Sequence, residues 1–256
     1  MKPHYAHKSL KLLKALEPLN SKPLVDRIYD EILVGGQSFT PATAEAHQPA
    51  VELLGELMNV HAEFEAEAGQ LQDMFGEYLE GSMQTNQENG QFFTPMSAVR
   101  MMIQCMLPDS EEKLLEKPLW ICDPACGTGR FMLGVAEHFN RVLECGYFNF
   151  CIVNVDVDRR AAIYCTMNAI LNQIPSITIW GNSLSLEIYD AFAVLPGHAW
   201  PWIRVAKGRA RELLTKALES SKKPTEEIEQ QAAPTPVPKA VQPKKLVQMT
   251  FGEAGA

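Results

Sequence analysis

Between Pro49 and about Glu80, apolar side chains recur at Val51, Leu54, Met58, His61, Phe64, Ala68, Leu71 and Phe75. Steps of three and four residues align them on one face, which predicts a long amphipathic helix. His61 reads as an interior histidine of that face, and Gly69 and Gly76 are weak points in its continuity. Shorter helical patterns cover 9–16 and 24–33, and another joins Val99, Met102, Ile103 and Met106. At Leu119 the rhythm changes. Short apolar runs at 119–123, 149–156, 176–180 and 191–195 read as strands, with helices over 128–140 and 159–173 between the first three. Alternating strand and helix predicts an α/β fold with a parallel sheet, preceded by a helical region.

Beyond the fourth run the pattern stops. Residues 204–221 read as one basic, exposed helix, and from Lys223 the chain turns to Pro, Lys, Glu, Gln and Ala, a composition too polar to bury a core. The expected organisation is a helical region at 1–88, a sheet domain at 89–203, the basic helix at 204–222 and a disordered tail at 223–256. The end of that tail, Leu246 to Phe251, is either a docking motif or an idle terminus.

With 256 residues the chain can bury a full core. Its net charge of -8 argues against a protein that grips nucleic acid unaided. The charge is uneven, with ten Lys/Arg against six Asp/Glu from Arg204 onward, so the basic end offers a solvated helix or a contact for nucleic acid or protein. Six cysteines (105, 122, 126, 145, 151 and 165) form no Cys-x-x-Cys pair. They suggest a reducing compartment rather than a disulfide framework or a metal site. The start has no signal-peptide core, and no apolar run approaches membrane length, so the expectation is a cytoplasmic protein without a membrane segment.

The candidate chemistry lies in Asp123-Pro124-Ala125-Cys126-Gly127-Thr128-Gly129-Arg130-Phe131. A buried strand ending in an acid, a glycine turn and then a helix present main-chain N–H groups to a ligand. It is neither a phosphate loop nor a dinucleotide fingerprint, because Gly-Lys-Ser/Thr and Gly-x-Gly-x-x-Gly are both missing. An acid at the strand end suits an ammonium group better than a pyrophosphate.

This segment resembles the S-adenosylmethionine loop of adenine-N6 DNA methyltransferases, especially the modification subunits of type I restriction systems. Gly90-Gln91-Phe92-Phe93-Thr94-Pro95 resembles the family's cofactor clamp, and Asp73-Met74-Phe75-Gly76-Glu77-Tyr78-Leu79 the end of its helical region. A second Gly-Gln-x-Phe-Thr-Pro at 36–41 has no such context and reads as coincidence or a decayed duplication.

The resemblance implies a Rossmann-like methyltransferase fold and S-adenosyl-L-methionine as cofactor. Asp123, Pro124 and the turn of Ala125, Cys126, Gly127, Thr128 and Gly129 would hold the methionine portion, and Phe92, Thr94 and Pro95 would close over it. Asp156 would accept from the ribose hydroxyls, Val157 would pack on the adenine, and Asn182 would stand where the family's Asp reads the adenine amino group. Asp158 is expected to cap a helix, whereas Arg130 takes a position usually small in the family.

The family's catalytic Asn/Asp-Pro-Pro-Tyr/Phe loop, which holds a flipped adenine, would fall on Leu195-Pro196-Gly197-His198. Leu195 carries no acceptor atom. A shifted register onto Ala199-Trp200-Pro201-Trp202 supplies aromatics but no carboxylate or amide. The resemblance therefore predicts a cofactor-binding protein with impaired transfer to DNA. The alternatives are an active methyltransferase, alone or with a partner subunit, and an interaction protein using 204–256.

Overall fold

A computed structural model of the chain describes residues 8–17, 22–38, 45–68, 71–81, 94–143, 149–197 and 201–222. Residues Met1–Lys222 form one compact unit, so the helical region, the sheet and the basic helix belong to one body. The expected tail at 223–256 lies outside the described residues.

The N-terminal part is helical: α1 (Lys8–Ala15), α2 (Leu24–Arg27) running into a π-helical stretch at Ile28–Val34, α3 (Gln48–Ala68) and α4 (Met74–Gly81). The long helix expected over 49–80 is thus two helices. The buried face of α3 is Ala50, Leu53, Leu57, Val60, His61 and Phe64, while Val51 and Met58 are exposed. Helix α5 (Met96–Met106) buries Val99 and Ile103 but leaves Met102 and Met106 open, and α6 (Glu111–Leu115) leads into the sheet.

The sheet has five strands in the order β1 (Leu119–Asp123), β2 (Phe150–Asp156), β3 (Ser176–Asn182), β4 (Glu187–Val194) and β5 (Trp202–Arg204). Helices α7 (Arg130–Leu143) and α8 (Arg159–Leu171) join the first three, which run parallel. The parallel expectation ends there, because β4 and β5 are antiparallel additions. The reason is chain length. Four residues separate Asn182 from Glu187, whereas a parallel crossover takes about a dozen or more. A hairpin is the remaining solution, with Gly181 at its bulge, where a Cβ would come within 2.4 Å of the Glu187 carbonyl oxygen.

One face of the sheet packs on α7, α8 and the N-terminal helices around Phe75, Phe139, Ile152 and Tyr164. The opposite face, with Val153, Val155, Ile177, Ile179 and Ala191, is covered by Ala210, Leu214 and Ala217 of α9 (Lys207–Lys222). The basic helix is therefore not an exposed appendage, since its alanine and leucine positions recur every three or four residues and bury one side. No helix among the described residues is long and apolar enough to cross a membrane.

Candidate functional site

The glycine turn leaves the C-terminal end of β1 and enters α7. Gly127 and Gly129 have positive φ of 54° and 96°, a region that costs a side-chain-bearing residue energy. At Gly129 space is also closed, because a Cβ would lie 2.9 Å from Cys165 Sγ and 3.0 Å from Met132 Cε. Strand β2 straps the turn from behind: the Cys126 N–H donates to the Val155 carbonyl at 2.9 Å, and the Gly127 N–H to Asp156 Oδ2 at 2.8 Å. The Ala125 N–H donates to Asp123 Oδ1 at 3.2 Å and the Gly129 N–H to the Cys126 carbonyl at 2.9 Å.

Those bonds correct the expectation of a main-chain N–H cradle. The N–H groups of Ala125, Cys126, Gly127 and Gly129 are satisfied within the protein. Against the turn lies a cavity of about 300 Å³, lined by Thr94, Val99, Met102 and Met106 on the α5 side and by Cys122, Asp123, Ala125, Cys126, Gly127, Arg130 and Phe131 on the other. Its charged lining residues are Asp123 and Arg130. Burial pushes the Asp123 carboxyl above the usual carboxylate range, and repulsion from Asp156 adds to this against the Ala125 hydrogen bond. Asp156 is pushed up as well, first by burial and also by Asp158, against the main-chain bonds from Asp158 and Gly127. Burial raises the Cys126 thiol too, so it behaves as a small apolar group rather than a nucleophile.

A network that the motif reading missed holds the turn in place. Asp73, fully buried, caps α4 by accepting from the Gly76 N–H at 2.8 Å. It also accepts from Asn168 Nδ2 at 2.7 Å, Arg130 Nε at 2.9 Å and the Thr128 hydroxyl. Arg130 then reaches Glu80 Oε1 at 2.9 Å and the Thr94 carbonyl at 3.2 Å. Arg130 thereby ties α4, the glycine turn and the entry to α5 together. Thr128, expected to touch the cofactor, is fully buried and belongs to this anchor.

The remaining predicted residues divide. Thr94, Asp123, Ala125, Cys126 and Gly127 line the cavity, whereas Pro95 begins α5 and Pro124 opens the turn. Phe92 lies outside the described residues. Asp156 stands at the end of β2, with Oδ1 accepting from the Asp158 N–H at 2.8 Å in addition to the Gly127 bond on Oδ2. A carboxylate has about four lone-pair sites, so acceptor capacity is reduced but not exhausted. Val157 is 63% exposed beside it, and Asp158 caps α8 through the Arg160 N–H, as expected.

Asn182 Oδ1 accepts from the Leu184 and Ser185 N–H groups at 2.9 and 3.1 Å. Both lone pairs of that oxygen are used, so it does not read an adenine amino group in this geometry; its NH₂ is the part left for a ligand. The catalytic-motif position departs further. Because β4 runs antiparallel, Val194 pairs with Ser176 at the start of β3. Leu195, Pro196 and Gly197 therefore emerge at the sheet edge opposite Asp123 and Asp156. His198 lies outside the described residues, and Trp202 of the shifted register is buried in the core. Asp190 of β4 accepts from Tyr29 Oη at 2.6 Å and Arg204 Nε at 2.8 Å, an internal brace.

Residues 70–190 match the family model for N-6 DNA methylase, which supports assigning this stretch to the adenine-N6 DNA methyltransferases. It takes in α4, α5, the glycine turn and β1 to β3, and it ends five residues before Leu195. No solved structure matches the chain.

Proposed function

We propose that the protein binds S-adenosylmethionine in the cavity beside the glycine turn and that methyl transfer to adenine in DNA is lost or strongly impaired. The observation that carries the first half is the cavity itself. Asp123 is an acceptor for the cofactor's ammonium, and the carbon-rich wall of Val99, Met102, Met106 and Phe131 suits its aliphatic chain. Asp156 and Val157 lie beyond the turn where the ribose and adenine would extend. When bound, the cofactor would supply an electrophilic methyl group.

The second half rests on direction as well as residue type. Leu195 has no acceptor, and the strand before it delivers that loop to the wrong edge of the sheet. An acceptor for the amino hydrogens contributes about 10²- to 10³-fold in rate by analogy with oxyanion donors.

Calorimetry tests the cofactor reading: S-adenosylmethionine should give measurable heat, weakened in Asp156→Ala, and no heat at millimolar ligand would end it. Methyl transfer to DNA by the purified chain, lost on substitution of Gly127, would overturn the impairment.

A further inference from the structure

The outer strands of the sheet are finished in opposite ways. Strand β5 is three residues long, ends in Arg204 and is capped by Gln37, whose Oε1 accepts from the Arg204 N–H at 2.5 Å. Short length, charge and a covering side chain are the usual means of blunting an edge. Strand β1 has five residues and, among the described residues, pairs only with β2. The Leu119 N–H donates to the Asn149 carbonyl at 3.0 Å. Alternate residues of a parallel strand bond to the same neighbour, so Ile121 and Asp123 also face β2. The main-chain N–H and C=O groups of Trp120 and Cys122 therefore point outward, with no partner among the described residues.

Strand β1 is also poorly covered. All five of its side chains are partly or wholly exposed, although parallel strands are ordinarily buried on both faces. Trp120 is 44% exposed, and Met102 and Met106, 43% and 63% exposed, line the same cavity as Cys122. An open ladder beside an apolar patch suits an extended apolar strand.

The outward groups are self-complementary. With a two-fold axis at Ile121, Trp120 of one copy meets Cys122 of the other, and the strands exchange two pairs of main-chain bonds. Antiparallel pairing suits the charges as well. It holds the two Asp123 carboxylates about 13 Å apart along the strands. It also brings each towards the opposite end of the other strand, where Lys216 Nζ lies 5.4 Å over the Trp120 ring. A parallel copy would set the two acids side by side. We infer that the open edge of β1 is a docking surface for a second copy of this chain, paired antiparallel about Ile121. Leu119 of the second copy then stands beside Asp123 and its Trp120 beside Cys122, adding to the strand side of the cavity. The inference stands without the cofactor reading.

Sedimentation equilibrium of the full chain over a concentration series should show monomer and dimer in exchange. Trp120→Lys places a charge in the docked ladder and should raise the dimer dissociation constant by at least about tenfold. Ile203→Lys, at the edge already blunted, should leave it unchanged. The register is tested by Ile121→Cys in a Cys105→Ser background, which removes an exposed thiol. Residues facing each other at the axis have Cα atoms about 4.5 Å apart, within disulfide reach. Mild oxidation with diamide should therefore give a covalent dimer that neither the Cys105→Ser parent nor Ile203→Cys gives. A single monomer mass at every concentration overturns the inference. So does a dimer that Ile203→Lys weakens and Trp120→Lys leaves intact, or one that Ile121→Cys fails to cross-link. If Trp120→Lys does not fold, the cross-link decides.

Discussion

The two ends of the sheet are built on different plans. On one side, β1 to β3 run parallel, joined by α7 and α8, and gather Asp123, the glycine turn, Asp156 and Val157 at one edge. On the other, β4 and β5 return antiparallel and carry Leu195, Pro196 and Gly197 to the opposite edge. The first half retains an architecture able to hold a cofactor. The second fills the sheet and, on the proposed function, brings no second reactant to it. The proposed function makes binding and transfer separable, and substitutions in the two halves should separate them.

The largest effect is expected from Asp73→Ala. It leaves the Arg130 guanidinium, the Thr128 hydroxyl and the Asn168 amide without their shared acceptor, at a cost of about 3–5 kcal/mol. Thermal unfolding should begin about 10 °C lower, and cofactor affinity should fall with it. A melting temperature within a degree or two of the parent would show that the turn does not depend on this anchor.

Gly129→Val comes next. Positive φ and the close Cys165 sulfur together oppose any Cβ, at about 1–3 kcal/mol. Calorimetric binding should disappear while the chain still folds; retained binding would mean that the turn tolerates rearrangement.

Asp123→Asn should weaken S-adenosylmethionine binding by about tenfold through loss of a charge-assisted bond. Its effect on stability has the opposite sign. A carboxyl raised in the folded state favours folding when protonated, and that contribution is lost as pH rises through its folded range. At neutral pH the ligand-free variant should therefore melt slightly higher than the parent, and the difference should fade in acid. Melting curves at neutral and acid pH check it.

The smallest effect belongs to the other half. Leu195→Asn restores the acceptor type of the catalytic motif but not its position. Stability should change by no more than about 0.5 kcal/mol, cofactor affinity should not move, and no methyl transfer should appear. A gain of transfer would break the contrast between the two edges.

Much of the first half was legible because its determinants are local. Strand, acid, glycine turn and helix follow one another between Leu119 and Leu143, and β1, β2, α7 and α8 lie within a few residues of their expected bounds. The direction of β4 could have been read too. The gap between the third and fourth apolar runs is ten residues, short for a crossover helix, but the strand–helix alternation before it favoured a parallel strand. Asp73 was legible only as part of a motif, because its partners Thr128, Arg130 and Asn168 are 55, 57 and 95 residues away. The face of α3 was displaced by one position because apolar residues occur on both of two interleaved series, and only packing selects between them. In α9 the lysines and arginines concealed a small-residue stripe that the sheet needs.

That stripe has a practical consequence. Ala210, Leu214 and Ala217 roof a layer of valines and isoleucines on this face of the sheet. A fragment ending at Arg204, trimmed to keep only the recognisable enzyme-like portion, would bare this layer to water and stick to its neighbours. Any shortened version intended for crystallisation or ligand studies must keep the chain through Lys222.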